Sequence, residues 1–392
     1  MPSTAPMLAD RMTSLGTETA FEVLARANAL AAQGKSIINL GIGQPDFKTP
    51  DHIVEAAIKA MRDGHHGYTP AAGIPQLREA VCRDLNARHG VDVDPSHVMI
   101  MPGGKPTMFF ACLIYGQEGS EIVYPNPGFP IYESAIRFSG ATAVPYPLRE
   151  ENGFAFSAEE VLSKITPRTR LLIMNSPANP TGGAVPKAEF DMLVAGLVDW
   201  PNVTVLSDEI YSQMLYDGLA HTSLLTYPEI RDRVILLDGW SKTYAMTGWR
   251  LGFSVWPADV VGHADKLAVN CHSCVNAPTQ FAGLAALEGP QDAVHAMVAA
   301  FDGRRRVIVS ELNQIPGFRC VEPRGAFYAF PNIEDTGLDA RALQTRLLED
   351  AGVAVIAGTS FGAFGEGYLR FSYANSTENI REAISRIKAM LS

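Results

Sequence analysis

Ser241-Lys242-Thr243-Tyr244-Ala245-Met246-Thr247-Gly248-Trp249-Arg250-Leu251-Gly252-Phe253 is the stretch on which the reading of this chain turns. It follows residues 234–237, Val-Ile-Leu-Leu, an apolar run that reads as a buried strand. A lysine just past such a strand stands at the carboxyl edge of an open α/β sheet, where ligand groups are presented. Ser241 beside it and Arg250, eight residues on, suit a shared phosphate: one offers a hydroxyl, the other a planar guanidinium fork. A lone Ser-Lys pair reads as a solvated loop. Here Gly248, Trp249, Gly252 and the apolar runs on both sides argue against that.

Working upstream, residues 203–206 are another buried strand, ending in Ser207-Asp208-Glu209-Ile210-Tyr211. A carboxylate at the end of a buried strand is costly unless it has a partner. Helix capping would occupy Asp208 but leaves Tyr211 unexplained. Before that, residues 170–174 form a strand that runs into Asn175-Ser176-Pro177-Ala178-Asn179-Pro180-Thr181-Gly182. The prolines fix this turn, and a cis Asn179–Pro180 bond is open to it; a plain Asn-Pro turn is the alternative. Residues 142–146 make a further strand, and Ser157 caps a helix between these two strands. Residues 121–124 run into Pro125-Asn126-Pro127-Gly128-Phe129. The first strand of the series, 98–101, is followed by Gly103-Gly104-Lys105 and a helix over 107–115. Strand, glycine turn and helix start together make an anion cradle from backbone N–H groups and the helix dipole. It is not a nucleotide P-loop, because Met99 stands where that motif needs glycine.

The two ends of the chain read differently. A Pro/Ser/Thr-rich arm leads into a helix over 18–33, and residues 37–47 hold the Gly41-Ile42-Gly43-Gln44-Pro45 turn. Helices follow over 53–62 and 74–89, with His65-His66-Gly67-Tyr68 between them. The two histidines find no third ligand at useful spacing, so no metal is expected. Cys271 and Cys274 have CxxC spacing without a second pair, and packing in a helix is the expectation. A helix over 291–314 carries Arg304-Arg305-Arg306, read as a solvated face. Short strands at 318–321, 327–330, 353–356 and 368–372, with helices at 339–351 and 376–391, read as a second, smaller α/β domain. Arg370 sits inside the last strand among apolar residues and wants a buried anion. A substrate carboxylate fits its fork, and an internal salt bridge is the alternative.

Composition sets the outer limits. With 392 residues, 47% of them hydrophobic, the chain can bury a large core and divide into two domains. A net charge of −10 disfavours nucleic acid and anionic membrane as partners. Five scattered cysteines suit a reducing cytosol, so a cytoplasmic location is expected. Neither a signal-peptide core nor an apolar run of the roughly 20 residues a membrane helix needs is found.

Taken in this order from Ile38 to Tyr373, the motifs resemble those of the class I aminotransferases, fold type I enzymes of pyridoxal 5'-phosphate (PLP), and most closely their bacterial aspartate aminotransferase branch. The resemblance implies a mostly parallel seven-stranded sheet in a large domain over 48–295. A smaller α/β domain would span 296–392 together with an N-terminal arm over 1–47. It implies a homodimer with shared active sites, acting on an L-amino acid and a 2-oxo acid by a ping-pong route through a Lys242 Schiff base. Asp208 would face the pyridine nitrogen, and Tyr211 and Asn179 the phenolate oxygen. Phe129 would lie on the ring. Gly104, Lys105, Ser241, Arg250 and Tyr68 of a neighbouring subunit would hold the phosphate. Gly41, Phe129, Asn179 and Arg370 would meet the substrate.

For the side chain of that substrate, Lys105 matches a position that faces an acidic group in some members of the branch. Aspartate with 2-oxoglutarate is therefore the first expectation. Three departures weigh on it: Pro106 follows the lysine where glutamine is frequent, Glu18 replaces a small hydroxyl residue, and Gly16 replaces a basic residue tied to prephenate. An acid at the entrance would repel a second carboxylate and favour neutral or cationic side chains. Aromatic, neutral or basic amino acids are thus the alternative, along with a PLP-dependent lyase or synthase of the same fold. A non-catalytic effector-binding module would need a DNA-binding extension, and no basic helix-turn-helix is seen.

Overall fold

The structure is a computed structural model that describes residues 7–391. Part of the expected Pro/Ser/Thr-rich arm, residues 1–6, lies outside the described residues; Asp10–Ser14 form a 3-10 turn. Chain order begins with helix α1 (Thr19–Ala32), strand β1 (Ile38–Asn39), and helices α2 (Asp51–Arg62) and α3 (Pro75–His89). Strand β2 (Val98–Met101) and helix α4 (Lys105–Tyr115) open an alternating series. It continues through β3 (Glu121–Asn126), β4 (Thr142–Pro147), β5 (Thr169–Asn175), β6 (Thr204–Asp208), β7 (Val234–Gly239) and β8 (Gly252–Val255).

These seven strands form one sheet in the order β2-β8-β7-β6-β5-β3-β4. β8 is antiparallel to both neighbours, and the other pairs are parallel. The unbroken apolar runs follow from this placement, since a parallel sheet covered on both faces buries every side chain. Alternate residues divide between the faces. Val205, Leu236 and Val123 join a core with Ile53 of α2 and Leu77 and Val81 of α3. Leu206, Ile235 and Ile122 join another with Phe110 and Cys112 of α4. Each such buried side chain contributes about 1.5–3 kcal/mol relative to leaving it exposed. The sheet stops at β4, whose Pro145 and Pro147 cannot donate to a further strand.

A second core joins both ends of the chain. Ile38 and Leu40 pack with Phe301 and Ile308 of the helix Asp292–Leu312, Leu343 and Leu347 of Ala340–Glu349, and Ile380 and Ile384 of Thr377–Leu391. Its strands are β9 (Tyr328–Ala329), β10 (Val353–Ala354), β11 (Ile356–Ala357) and β12 (Leu369–Ser372). β1 pairs with β10 in parallel, and β11-β12-β9 form a separate antiparallel sheet.

Three expectations are corrected here. Residues 318–321 make no strand; Arg319 forms only an isolated bridge with Asn332. Residues 353–356 are not one strand, because the chain leaves β10 and enters β11 in a different sheet. Arg305 does not lie on a solvated face. It is 1% exposed, on the inner side of its helix, and donates to both carboxylate oxygens of Asp217 at 2.8 and 2.7 Å. That bidentate pairing is what lets a guanidinium be buried.

Candidate active site

Register brings the chemistry together. Asn175 on β5 lies opposite Asp208 on β6, and Asp208 lies opposite Leu237 on β7. Three parallel strands therefore end nearly level, at the sheet's carboxyl edge. Above that edge is a cavity of about 450 Å³, lined by Gly104, Lys105, Phe129, Asn179, Asp208, Tyr211, Ser241, Lys242, Arg250 and Arg370.

Asp208 is buried, and its Oδ2 accepts from the Tyr132 hydroxyl at 2.6 Å while Oδ1 accepts from the Ile210 N–H at 3.2 Å. Burial pushes its carboxyl up to about 7, against the pull of the Tyr132 hydrogen bond. Asp238 and Glu209 push in the same direction as burial. A carboxylate so placed is stabilised by a cation brought to it. Asn175 donates from its amide to the Asp208 carbonyl at 3.0 Å and accepts from the Asn179 N–H at 2.9 Å, which ties the two strand ends together. The Asn179–Pro180 bond is cis.

Lys242 lies on the short helix Trp240–Thr243 that starts where β7 ends. Its Nζ donates to the Gly43 carbonyl at 2.6 Å and sits 5.9 Å from the Tyr211 ring centroid. Burial, then the positive charge of Arg370, lowers its pKa to about 8. A usable share of the amine is thus neutral near physiological pH.

The glycine turn is set by backbone contacts. Gly103 has φ +85°, and a Cβ there would lie 2.2 Å from the Arg250 guanidinium. A Cβ on Gly252 would lie 2.7 Å from the Gly103 carbonyl carbon. Gly104 stands at the N-cap of α4 without a side-chain cap; Pro106 has no N–H and the Thr107 N–H donates to the Gly104 carbonyl at 3.1 Å, so the Gly104 and Lys105 N–H groups are the ones left to meet an anion. Arg250 itself is in the left-handed region at φ 57°, a conformation that costs a non-glycine residue about 1 kcal/mol or more. It turns the guanidinium over Gly103.

Arg370 on β12 is buried. Nη1 donates to Asn179 Oδ1 at 2.8 Å, Nη2 donates to the Gly41 carbonyl at 2.6 Å, and Nε has no hydrogen-bond partner among the described residues. Its partners are an amide and a carbonyl, so the internal salt bridge is not formed. Its guanidinium carbon lies 4.6 Å from the Tyr328 ring centroid and 4.7 Å from that of Phe361. Gly41 does not line the cavity; it acts through its carbonyl. Leu40 fixes it, donating to the Ala354 carbonyl at 2.9 Å and accepting from the Ser372 N–H at 2.6 Å. Tyr68 is 93% exposed and lies outside the cavity of its own chain.

Three cavity residues carry no signal in the sequence. Tyr132 reads as a core tyrosine until it is seen bonded to Asp208. Tyr328 accepts or donates a hydrogen bond with Tyr211, hydroxyl to hydroxyl at 2.8 Å, and Phe361 backs Arg370. Glu18, noted only as a departure, forms an ion pair with Lys105.

A buried acid with no ion pair among the described residues, an amine of lowered pKa and an uncapped helix start beside Ser241 and Arg250 are complementary to a pyridinium, an aldehyde and a phosphate. Residues 35–387 match the family model described as aminotransferase class I and II. The aspartate aminotransferase of Pyrococcus horikoshii is 40% identical, over 92% of this chain and 92% of its own. The aromatic-amino-acid aminotransferase 2 of Thermococcus litoralis is 38% identical, over 92% and 93%. The crystal structure of the aspartate aminotransferase from Rhizobium meliloti superposes with a TM-score of 0.94 at 32% identity, covering 99% of each chain. The chain therefore belongs to the class I and II aminotransferases, fold type I enzymes that transfer amino groups with pyridoxal 5'-phosphate.

Proposed function

We propose that this aminotransferase exchanges an amino group between an L-α-amino acid and a 2-oxo acid in two half-reactions centred on Lys242. The observation that carries the proposal is the convergence of Lys242, Asp208 and Arg370 on one cavity. When bound, PLP supplies an electron sink for charge developing at the substrate Cα. Asp208, whose pKa burial raises to about 7, would hold the proton on the ring nitrogen, gaining there the positive charge that its buried place lacks. Tyr211 and the Asn179 side-chain amide N–H group would donate to the phenolate oxygen, since the Asn179 Oδ1 is already taken by Arg370. Phe129 would lie against the ring. The backbone at Gly104 and Lys105, with Ser241 and Arg250, would hold the phosphate, completed by Tyr68 from a second copy of the chain in a homodimer; the Lys105 ammonium itself is turned to Glu18. Arg370, with Asn179, would receive the α-carboxylate, and the Gly41 carbonyl, which accepts from Nη2, holds the guanidinium in place for it; the Nε left without a partner among the described residues fits this role. Lys242 Nζ would take up and return the proton at the substrate Cα.

Lys105 supports an acidic side chain, as in aspartate, with 2-oxoglutarate as acceptor; relatives are named for aspartate and for aromatic substrates. The division at 47/48 and 295/296 is part of the proposal, supported by the core that joins Ile38 and Leu40 to residues from Met297 onward. Among the described residues no helix is long and apolar enough to cross a membrane. The cytoplasm is the proposed compartment, on the grounds of the free cysteines. Mixing the holoenzyme with an amino acid in the absence of acceptor is the test. The cofactor's aldehyde-form absorbance is expected to convert to that of its amine form and to return on adding a 2-oxo acid. Failure with every common amino acid would remove the proposal.

A further inference from the structure

Glu18 stands at the N-terminal boundary of α1, where its carbonyl accepts from the Phe21 N–H at 3.1 Å but its side chain makes no capping hydrogen bond. Its carboxylate points into the cavity, where its side chain is 15% exposed and paired with the Lys105 ammonium. The same ammonium lies 5.7 Å from the ring centroids of both Phe21 and Phe129. The charge at Lys105 is thus met by an acid of the same chain and flanked by two apolar rings. Glu18 also acts electrostatically on Lys242, Arg370 and Tyr328, which places it among the cavity's charges and not at its outer rim.

Two kinds of side chain meet this arrangement differently. A dicarboxylic substrate must draw Lys105 away from Glu18 and then hold its own second carboxylate beside the acid left behind. An apolar side chain leaves the pair closed, and the pair then forms an electrically neutral cap next to Phe21 and Phe129. We propose that Glu18 is a specificity-determining residue: it competes with a substrate's distal carboxylate for Lys105, so that the site accepts neutral, apolar side chains alongside dicarboxylic ones. This rests on the transamination reading above, and concerns the side-chain end of the same site.

The test uses two non-reacting probes on the PLP-loaded enzyme, maleate as a dicarboxylate and 3-phenylpropanoate as an apolar monocarboxylate. Their dissociation constants are read from the change in cofactor absorbance. In Glu18→Gln the preference for maleate over 3-phenylpropanoate is expected to rise roughly tenfold, as removal of a competing, partly screened like charge predicts. In the double variant Glu18→Gln with Lys105→Met that gain is expected to vanish. An unchanged or reduced maleate preference in Glu18→Gln would overturn the proposal. So would a gain that persists without Lys105, since that would show simple charge repulsion in place of competition. Glu18→Ser serves as a second variant should Glu18→Gln fail to load cofactor. Because the probes do not react, the outcome is independent of turnover. A protein that binds the probes but converts no amino acid would sink the transamination reading; one that transaminates but gains no maleate preference in Glu18→Gln would sink this proposal alone.

Discussion

The carboxyl edge of the seven-stranded sheet and the short strands around Arg370 serve one cavity but are built on different principles. At the sheet edge, position comes from register. Asn175, Asp208 and Leu237 are aligned by continuous ladders between fully buried strands. Around Arg370 the strands β9, β10 and β11 are two residues long, and position comes from contacts between side chains. Arg370 is held by Asn179, Tyr328 by Tyr211, and Lys242 reaches the Gly43 carbonyl. Each of these contacts joins a residue that follows a strand of the large sheet to Arg370, Tyr328 or the loop after β1. The cofactor half of the site is thus framed by backbone, and the substrate half is fastened to it by a few polar bonds. Damage to the first should abolish chemistry, and damage to the second should loosen substrate.

Variants along this divide test it, and the largest effect belongs to the sheet side. Lys242→Ala is expected to lower the half-reaction rate by about four orders of magnitude while PLP stays bound, since proton transfer is lost but the phosphate groups remain. Rapid-mixing absorbance measures this, and a variant within tenfold of wild type, by the same principle, would break the assignment. Asp208→Asn keeps the Tyr132 bond but removes the charge, and a loss of roughly 10²–10³ in rate is expected from removing one electrostatic stabiliser. On the other side of the divide, Arg370→Lys should raise the amino-acid KM by roughly 30-fold or more, with the cofactor spectrum intact, because the bidentate geometry is lost. A large fall in kcat with unchanged KM would erase the distinction between the halves. Tyr328→Phe, which removes only the hydroxyl bridge to Tyr211, should cost about 1 kcal/mol, seen as a fewfold loss of substrate affinity.

The smallest effect is one of pH. Lys242 has its pKa lowered to about 8, so the neutral amine fraction of the cofactor-free protein rises through that value and not through the 10.5 of an ordinary lysine. PLP uptake by the apoprotein should therefore accelerate as pH rises toward about 8 and level off above it. An uptake rate still climbing steeply above pH 9 would show that the amine is not shielded as described.

The two regions were unequally legible from the residues alone. Strand β2, at Val98–Met101, is bounded in the structure as its apolar run predicts. Lys242 and Asp208 stand at strand ends because an uninterrupted buried run must stop where polar groups begin. The short-stranded region gives no such signal. Two-residue strands carry no periodicity, which is why 353–356 reads as one strand and 318–321 as another. Arg305 reads as solvated because its partner Asp217 lies 88 positions away in the chain. Tyr132, 76 positions from Asp208, is invisible for the same reason. Such pairings depend on tertiary approach, and local pattern does not encode that. Glu18 is an intermediate case: its residue type is conspicuous at that place, but only the folded chain shows Lys105 as its partner.

Gly239 and Gly252 lie opposite each other in the sheet, and Gly252 also abuts Gly103. Three main-chain segments therefore meet with no side chain between them, and even a methyl group would wedge them apart. Anyone wishing to redirect this enzyme toward other amino acids has little freedom along that seam, which anchors the anion cradle. The freedom lies at the mouth, on α1, where a changed side chain alters what is admitted without disturbing what holds the cofactor.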